Sequence, residues 1–112
     1  MNRVARVFAF ALLLISGSLS AVIVGDSTPR RISAMHSYPQ FGGGDVIAYL
    51  DAPISSNCFG IWLPPIDPGF KQTFGVMTAA RVTNSPLLIW VLDDQKWNGS
   101  ATPFCKVYAV SL

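Results

Sequence analysis

The sequence predicts a small, mainly β domain with one helix, and three observations carry that prediction. Short runs of alternating apolar and polar residues recur between Gly and Pro punctuation. One segment, residues 67–84, instead has helical spacing and helical end signals. The two cysteines, Cys58 and Cys105, fall on strands either side of it.

Residues 67–84 read DPGFKQTFGVMTAARVTN. Asp67 offers a side-chain acceptor to the first free backbone N–H groups, and Pro68 stands where a missing donor costs nothing. Phe70, Phe74, Met77 and Arg81 recur at helical intervals, so three bulky apolar side chains share one stripe able to lie on a sheet. Ala79 and Ala80 favour the helix, whereas Gly75 weakens it by about 1 kcal/mol. The β-branched Val82 and Thr83 predict an end near Arg81 or Val82, with Asn84 as a left-handed cap, and Pro86 cannot continue it.

The remaining segments read as strands and turns. Residues 22–29 are expected to be a mobile or edge segment. In residues 30–38, Ile32, Ala34, His36 and Tyr38 alternate with Arg31, Ser33, Met35 and Ser37, predicting a first strand. A turn at 39–45 contains Gly42, Gly43 and Gly44, which permit positive φ where the chain reverses. Residues 46–51 form a second strand. Residues 57–63 form a third, with Cys58, Gly60 and Trp62 on one face and Phe59, Ile61 and Leu63 on the other, stopped by Pro64-Pro65. After the helix, LLIWVL at 87–92 predicts a strand that wants cover on both faces. A polar excursion at 93–103 carries Trp97, and residues 104–112 predict a last strand with Cys105, Val107 and Ala109 opposite Phe104, Lys106, Tyr108, Val110 and Leu112. Strand, strand, strand, helix, strand, strand is the order of the OB-fold, a five-stranded Greek-key barrel. An open antiparallel sheet with the helix packed on one face has the same order.

Residues 1–21 place Arg3 and Arg6 before an apolar run and then a small, polar exit stretch, the pattern of a secretory signal peptide. Their apolar core is shorter than the ~20 residues that span a bilayer. The expected mature chain, 22–112, is a single domain, secreted or periplasmic, meeting the membrane only through its leader during export. Charge changes with the leader: eight Lys and Arg face six Asp in the whole chain, and without Arg3 and Arg6 six face six. A neutral domain lacking a basic cluster has no electrostatic footprint for nucleic acid. An even cysteine count in an exported chain reads as a disulfide, and Cys58 with Cys105 is the one pairing within a monomer, against reduced core thiols or an intermolecular link. Closing that loop contributes about 4 kcal/mol in the chain-entropy model.

Chemistry is sparse. With one His, six Asp, no Glu and three Lys, few acid–base sets can be assembled. His36 and Ser37 are adjacent in a strand and so face opposite sides, which argues against a nucleophile and base. No catalytic residue, metal ligand set or cofactor is therefore assigned. Asp93-Asp94 reads as a solvated turn rather than a calcium site, and Asn98-Gly99-Ser100 fits a glycosylation acceptor that matters only in a eukaryotic secretory route. The surplus lies in aromatics: Trp62, Trp90, Trp97, Tyr38, Tyr49 and Tyr108 exceed what one small core requires. Trp62 and Trp90, on central strands, are expected in the core. Trp97, between Lys96 and Asn98, is expected at the surface as the ligand-contacting residue.

Taken together, the leader, the hairpin at 31–51, Cys58 ahead of an aromatic-rich strand, the helix with Ala79-Ala80, the apolar LLIWV run and the closing Cys105-Lys106-Val107-Tyr108 strand resemble the small exported OB-fold proteins related to bacterial pentameric toxin B subunits, of the subtilase cytotoxin B kind. The resemblance covers most of the mature chain. It implies glycan binding and ring-like assembly, and it carries no sugar-contacting residue over to this sequence. The expectation is an exported, noncatalytic module that binds a glycan or a partner protein. The alternative is a structural protein acting through self-association as a homo-oligomer.

Overall fold

The computed structural model describes residues 22–112, so the signal-peptide reading of 1–21 lies outside the described residues. In order come β1 (Ile23–Gly25), β2 (Ile32–Tyr38), β3 (Asp45–Leu50), β4 (Gly60–Leu63), α1 (Phe70–Thr83), β5 (Leu88–Lys96) and β6 (Phe104–Ser111). The strands build one six-stranded sheet in the order β1-β5-β6-β4-β3-β2. Five strands are expected and six are found, because the segment at 22–29 contributes β1 by pairing Ile23, Val24 and Gly25 with Leu92, Val91 and Trp90. With β1 and β2 at its two edges the sheet of named strands is open. It is also mixed: β4 and β6 run parallel, which corrects the purely antiparallel alternative. Ahead of β2 and β5 a two-bond bridge forms, in which Arg30 N–H donates to Leu87 O at 2.9 Å and Leu87 N–H to Arg30 O at 2.8 Å.

One face of the sheet holds the core. Ile32, Val46, Ala48, Ile61, Ile89 and Val91 are buried there against Met77 and Ala80 of α1. The helix starts three residues later than its Asp67 signal, with Gly69 at the N-cap and no side-chain cap bond. The Asp67 carboxylate is engaged elsewhere, 3.1 Å from Lys106 Nζ, while its carbonyl accepts from Phe70 N–H at 3.1 Å. The buried stripe also differs from the expected one, running through Phe70, Val76, Met77 and Ala80. Phe74 rotates to the flank, 37 % exposed, and stacks on Phe70 with the rings 5° from parallel. At the other end the left-handed cap is where expected, Asn84 at φ 52°, and Ser85 N–H closes the turn on Ala80 O at 2.9 Å.

Two irregularities overrule simple alternation. A register shift between Ile32 and Ala34 lets Ile32 enter the core while Ala34, His36 and Tyr38 pair with Tyr49, Ile47 and Asp45 on the opposite face. Another, between Trp90 and Val91, admits Tyr108 as an extra residue on β6, so that Val107 and Val110 both reach the core. Cys58 also departs from its expected face. The strand begins only at Gly60, and Cys58 sits in the preceding turn, its N–H on Ser55 O at 3.1 Å and its carbonyl accepting from Ile54 N–H at 3.0 Å.

From that turn Cys58 bonds to Cys105 across 47 residues, with the Cα atoms 5.4 Å apart and both residues fully buried. A second tie is made by the buried guanidinium of Arg30, which donates to Thr28 O at 3.0 Å, Pro53 O at 3.2 Å and Asp26 Oδ1 at 3.2 Å. The Thr28 N–H, and after it Arg30, holds the Asp26 carboxyl below its ordinary range. A carboxyl so lowered stabilises the fold at neutral pH, and that contribution is lost as acid titrates it.

Two stability predictions follow from this frame. Replacing both cysteines by Ser is expected to lower stability by about 4 kcal/mol, read as a fall in the urea midpoint that reductant reproduces in the native chain. Gly60→Ala is expected to cost about 1–3 kcal/mol, because an added Cβ would lie 2.5 Å from the Phe104 ring and 2.7 Å from Ala48 O; an unchanged midpoint would contradict the packing described.

Candidate functional site

The face of the sheet away from α1 is aromatic. Ile47 of β3 and Phe104 of β6 are buried at its centre with Trp97, and Tyr38 and Trp62 pack half-buried around them. Gly60 makes this possible, since its missing side chain leaves room for Phe104 to lie across the β4–β6 junction. From Phe104 the rings continue in both directions. Tyr49 meets it edge-on at 5.1 Å, and His36 lies 5.2 Å beyond Tyr49. On the other side Trp97 stands perpendicular to Phe104 at 5.8 Å, with Tyr38 at 5.4 Å and Phe41 at 5.7 Å from the indole.

Trp97, expected as an exposed contact residue, is buried at 6 %. The reason is that β5 runs through Lys96, four residues past the expected strand end, and realigns after an irregularity so that Lys96 pairs with Cys105. Trp97 N–H then donates to Phe104 O at 2.9 Å, which turns the indole onto the sheet instead of into a loop. Its Nε1 donates to Asp45 Oδ2 at 2.9 Å. Gly99 folds back over the ring so closely that a Cβ there would lie 2.3 Å from it. Gly42, at φ 64°, covers the Asp45 carboxylate in the same way, with a hypothetical Cβ at 2.0 Å.

Two hollows open on this face. One, of about 300 Å³, is lined by Tyr49, Asp51, Pro53, Phe59 and Phe104 among others. Its rims are Tyr49 and Phe59, both large exposed aromatics. The other, of about 150 Å³, is lined by Tyr38, Phe41, Trp97 and Gly99, between the β2–β3 turn and the loop after β5. Among the described residues no Lys, Arg or His lines either one.

The remaining expected residues are placed as follows. Trp62 and Trp90 are half-buried; Trp62 joins the outer cluster with its Nε1 enclosed and without a partner among the described residues, and Trp90 lies over Gly25. His36 is exposed with Nδ1 3.3 Å from Tyr38 Oη. It pairs across the sheet with Ile47 and Ser37 with Val46, residues of the outer cluster and the core respectively, so imidazole and hydroxyl point to opposite sides. Asp93 and Asp94 lie within β5 rather than in a turn, and among the described residues no three His, Cys, Asp or Glu side chains converge. Asn98 and Ser100 are exposed in the loop beyond Trp97. Phe41, Asp45, Phe59 and Gly99 are the site residues that sequence reasoning passes over. An aromatic set directly against three glycines was the one available signal, and it points to Phe41.

The Asp45–Trp97 bond generates a prediction. Trp97→Phe keeps a ring but removes the donor, leaving a buried carboxylate without its partner, and is expected to cost about 1–3 kcal/mol, measured by urea unfolding with loss of near-ultraviolet aromatic dichroism; a neutral substitution would show that the bond does not hold the loop. Compared with family models, curated protein sequences and solved structures, the chain matches none.

Proposed function

We propose that this protein is an exported, noncatalytic binding module that engages a glycan through the aromatic face of its sheet. The observation that carries the reading is the larger hollow: two exposed aromatic rims, Tyr49 and Phe59, over a Phe104 floor, with the Asp51 carboxylate at the edge. Rings of this kind stack on the apolar faces of sugars, and an edge carboxylate accepts from hydroxyls. Asp51 Oδ1 is already fixed by Arg31 N–H at 3.0 Å, which holds the carboxylate in place for such a role.

Architecture supports the same reading. Set β1 aside, and the order β5-β6-β4-β3-β2, its parallel β4–β6 pair and the Arg30–Leu87 bridge that brings the starts of β2 and β5 together support an OB-like reading of the sheet. In that fold the outer sheet face and the loops beside it are the usual ligand surface, and both hollows lie there. The leader and the disulfide support secretion or a periplasmic location. The likeness to toxin B subunits, with its implied ring assembly, stays within this proposal.

A glycan array probed with the mature protein is expected to give a ligand class above background, lost in a Tyr49→Ala, Phe59→Ala double variant that still unfolds cooperatively. Array silence with folded protein would remove the glycan reading. Self-association is the second reading, favoured by the half-buried Leu88, Trp90 and Leu92 on the outer side of β5 beside the three-residue edge strand β1. Light scattering at rising concentration is expected to show a mass above that of the monomer if that face is covered by a sister subunit.

A further inference from the structure

We infer that the smaller hollow, walled by Tyr38, Phe41 and Trp97, is an aromatic cage for a trimethylammonium group. This goes beyond the glycan reading and concerns a different hollow. Three features carry it. The first is wall geometry: Tyr38 is tilted 36° and Phe41 82° from the indole plane, at 5.4 Å and 5.7 Å. Rings at such angles cannot form one flat stacking platform, so they stand as walls around the space that Gly99 closes. Aromatic walls attract a cation through the negative faces of their π systems, and quaternary ammonium groups are the ligands such cages take.

The second is size. The hollow holds about 150 Å³, the volume of an apolar cavity that accepts a benzene-sized guest. A compact methylated head fits that space, whereas a sugar ring with its hydration belongs to the larger hollow.

The third is charge. Asp45 is 3 % exposed, and buried carboxylates are ordinarily neutralised by a cation. Among the described residues the ion pairs are Arg30 with Asp26 and Lys106 with Asp67, and the hydrogen bond that Asp45 accepts is the one from Trp97 Nε1. The Asp45 carboxylate therefore sits at the Nε1 edge of the indole wall, in line with the ring plane, with no cation of the described residues against it. An ammonium bound over the indole face would bring a positive charge near that edge, and the hydrogen bond to Asp45 makes the indole more electron-rich for it.

Choline is the probe, titrated into the mature protein by calorimetry and by tryptophan fluorescence, beside its neutral isostere 3,3-dimethylbutan-1-ol. Saturable choline binding is expected, with the isostere weaker by roughly tenfold, the size of a partly desolvated cation–π contact. Phe41→Leu, at an exposed position that preserves apolar bulk, is expected to narrow that difference. Asp45→Asn keeps an acceptor for Trp97 and should weaken choline while leaving the isostere unchanged. Phosphatidylcholine vesicles distinguish a lipid headgroup from free choline as the source, and capture of either supports the cage. Equal affinity for choline and the isostere, or no saturable response from folded protein, overturns it. The Tyr49→Ala, Phe59→Ala variant retains choline binding, so failure of the glycan reading and failure of the cage are separately visible.

Discussion

The parallel contact between β4 and β6 is the constraint on which both faces of the sheet depend. Only three residue pairs make it, Gly60, Ile61 and Trp62 against Phe104, Cys105 and Lys106, and parallel pairing is weaker per residue and needs a long crossover. Here the crossover contains α1 and all of β5. The disulfide fixes the junction by joining Cys58, two residues before β4, to Cys105 within β6, which removes much of the loop-closure entropy that so distant a pairing would cost. Consequences run to each side. Towards the core, Ile61 and Cys105 enter the layer covered by Met77 and Ala80. Towards solvent, Gly60 and Phe104 create the flat seat on which Trp97 and Tyr49 rest.

That outer seat explains a feature odd for so small a domain, a second aromatic cluster on the side of the sheet opposite its helix. Burying Ile47, Phe104 and Trp97 there adds apolar area that a domain of this size needs. It also brings in Asp45, a buried charge held by one indole N–H, and such a group costs more than it contributes unless it is partnered. The pair is a trade: an apolar residue at position 45 would remove the desolvation cost of the carboxylate but leave the buried Trp97 Nε1–H without its acceptor.

Much of this was legible in residue order, and what was not has identifiable causes. Helix, hairpins, left-handed Asn84 and the cysteine pairing followed from local rules that the tertiary structure had no reason to override. The helix starts later than its signal because Asp67 has a better partner in Lys106, distant in sequence and invisible to a capping rule. Face assignments failed at Ala34, Cys58 and Val110, in each case beside a bulge or a strand start, where one residue of slip inverts the pattern. The exit of Trp97 from its expected loop has the same origin: polarity at Asp93, Asp94 and Lys96 suggested that β5 had ended, whereas their side chains merely mark the solvent-facing length of a strand that continues. Tyr38 was visible as surplus aromatic content, but its meeting with Phe41, Trp97 and Asp45 depends on the β2–β3 turn and the loop after β5 closing side by side. No periodicity encodes that closure.

The two glycine contacts at the smaller hollow bear on how it would work. Gly99 against the Trp97 ring and Gly42 against the Asp45 carboxylate leave no space for any side chain, so both loops are seated on the groups they cover rather than free above them. Tyr38 and Asp45 in turn face each other as the last pair of the β2–β3 ladder, and the Trp97 N–H is held on Phe104 O by the end of the β5–β6 ladder. Three of the four groups thus hang from paired backbone, and only Phe41 sits in the turn itself. A site held this way has already lost the conformational entropy that binding would otherwise have to remove. It can therefore discriminate on the charge and shape of a small head group with few contacts, and Phe41, 40 % exposed at the mouth, is the wall with the most freedom to adjust to a guest.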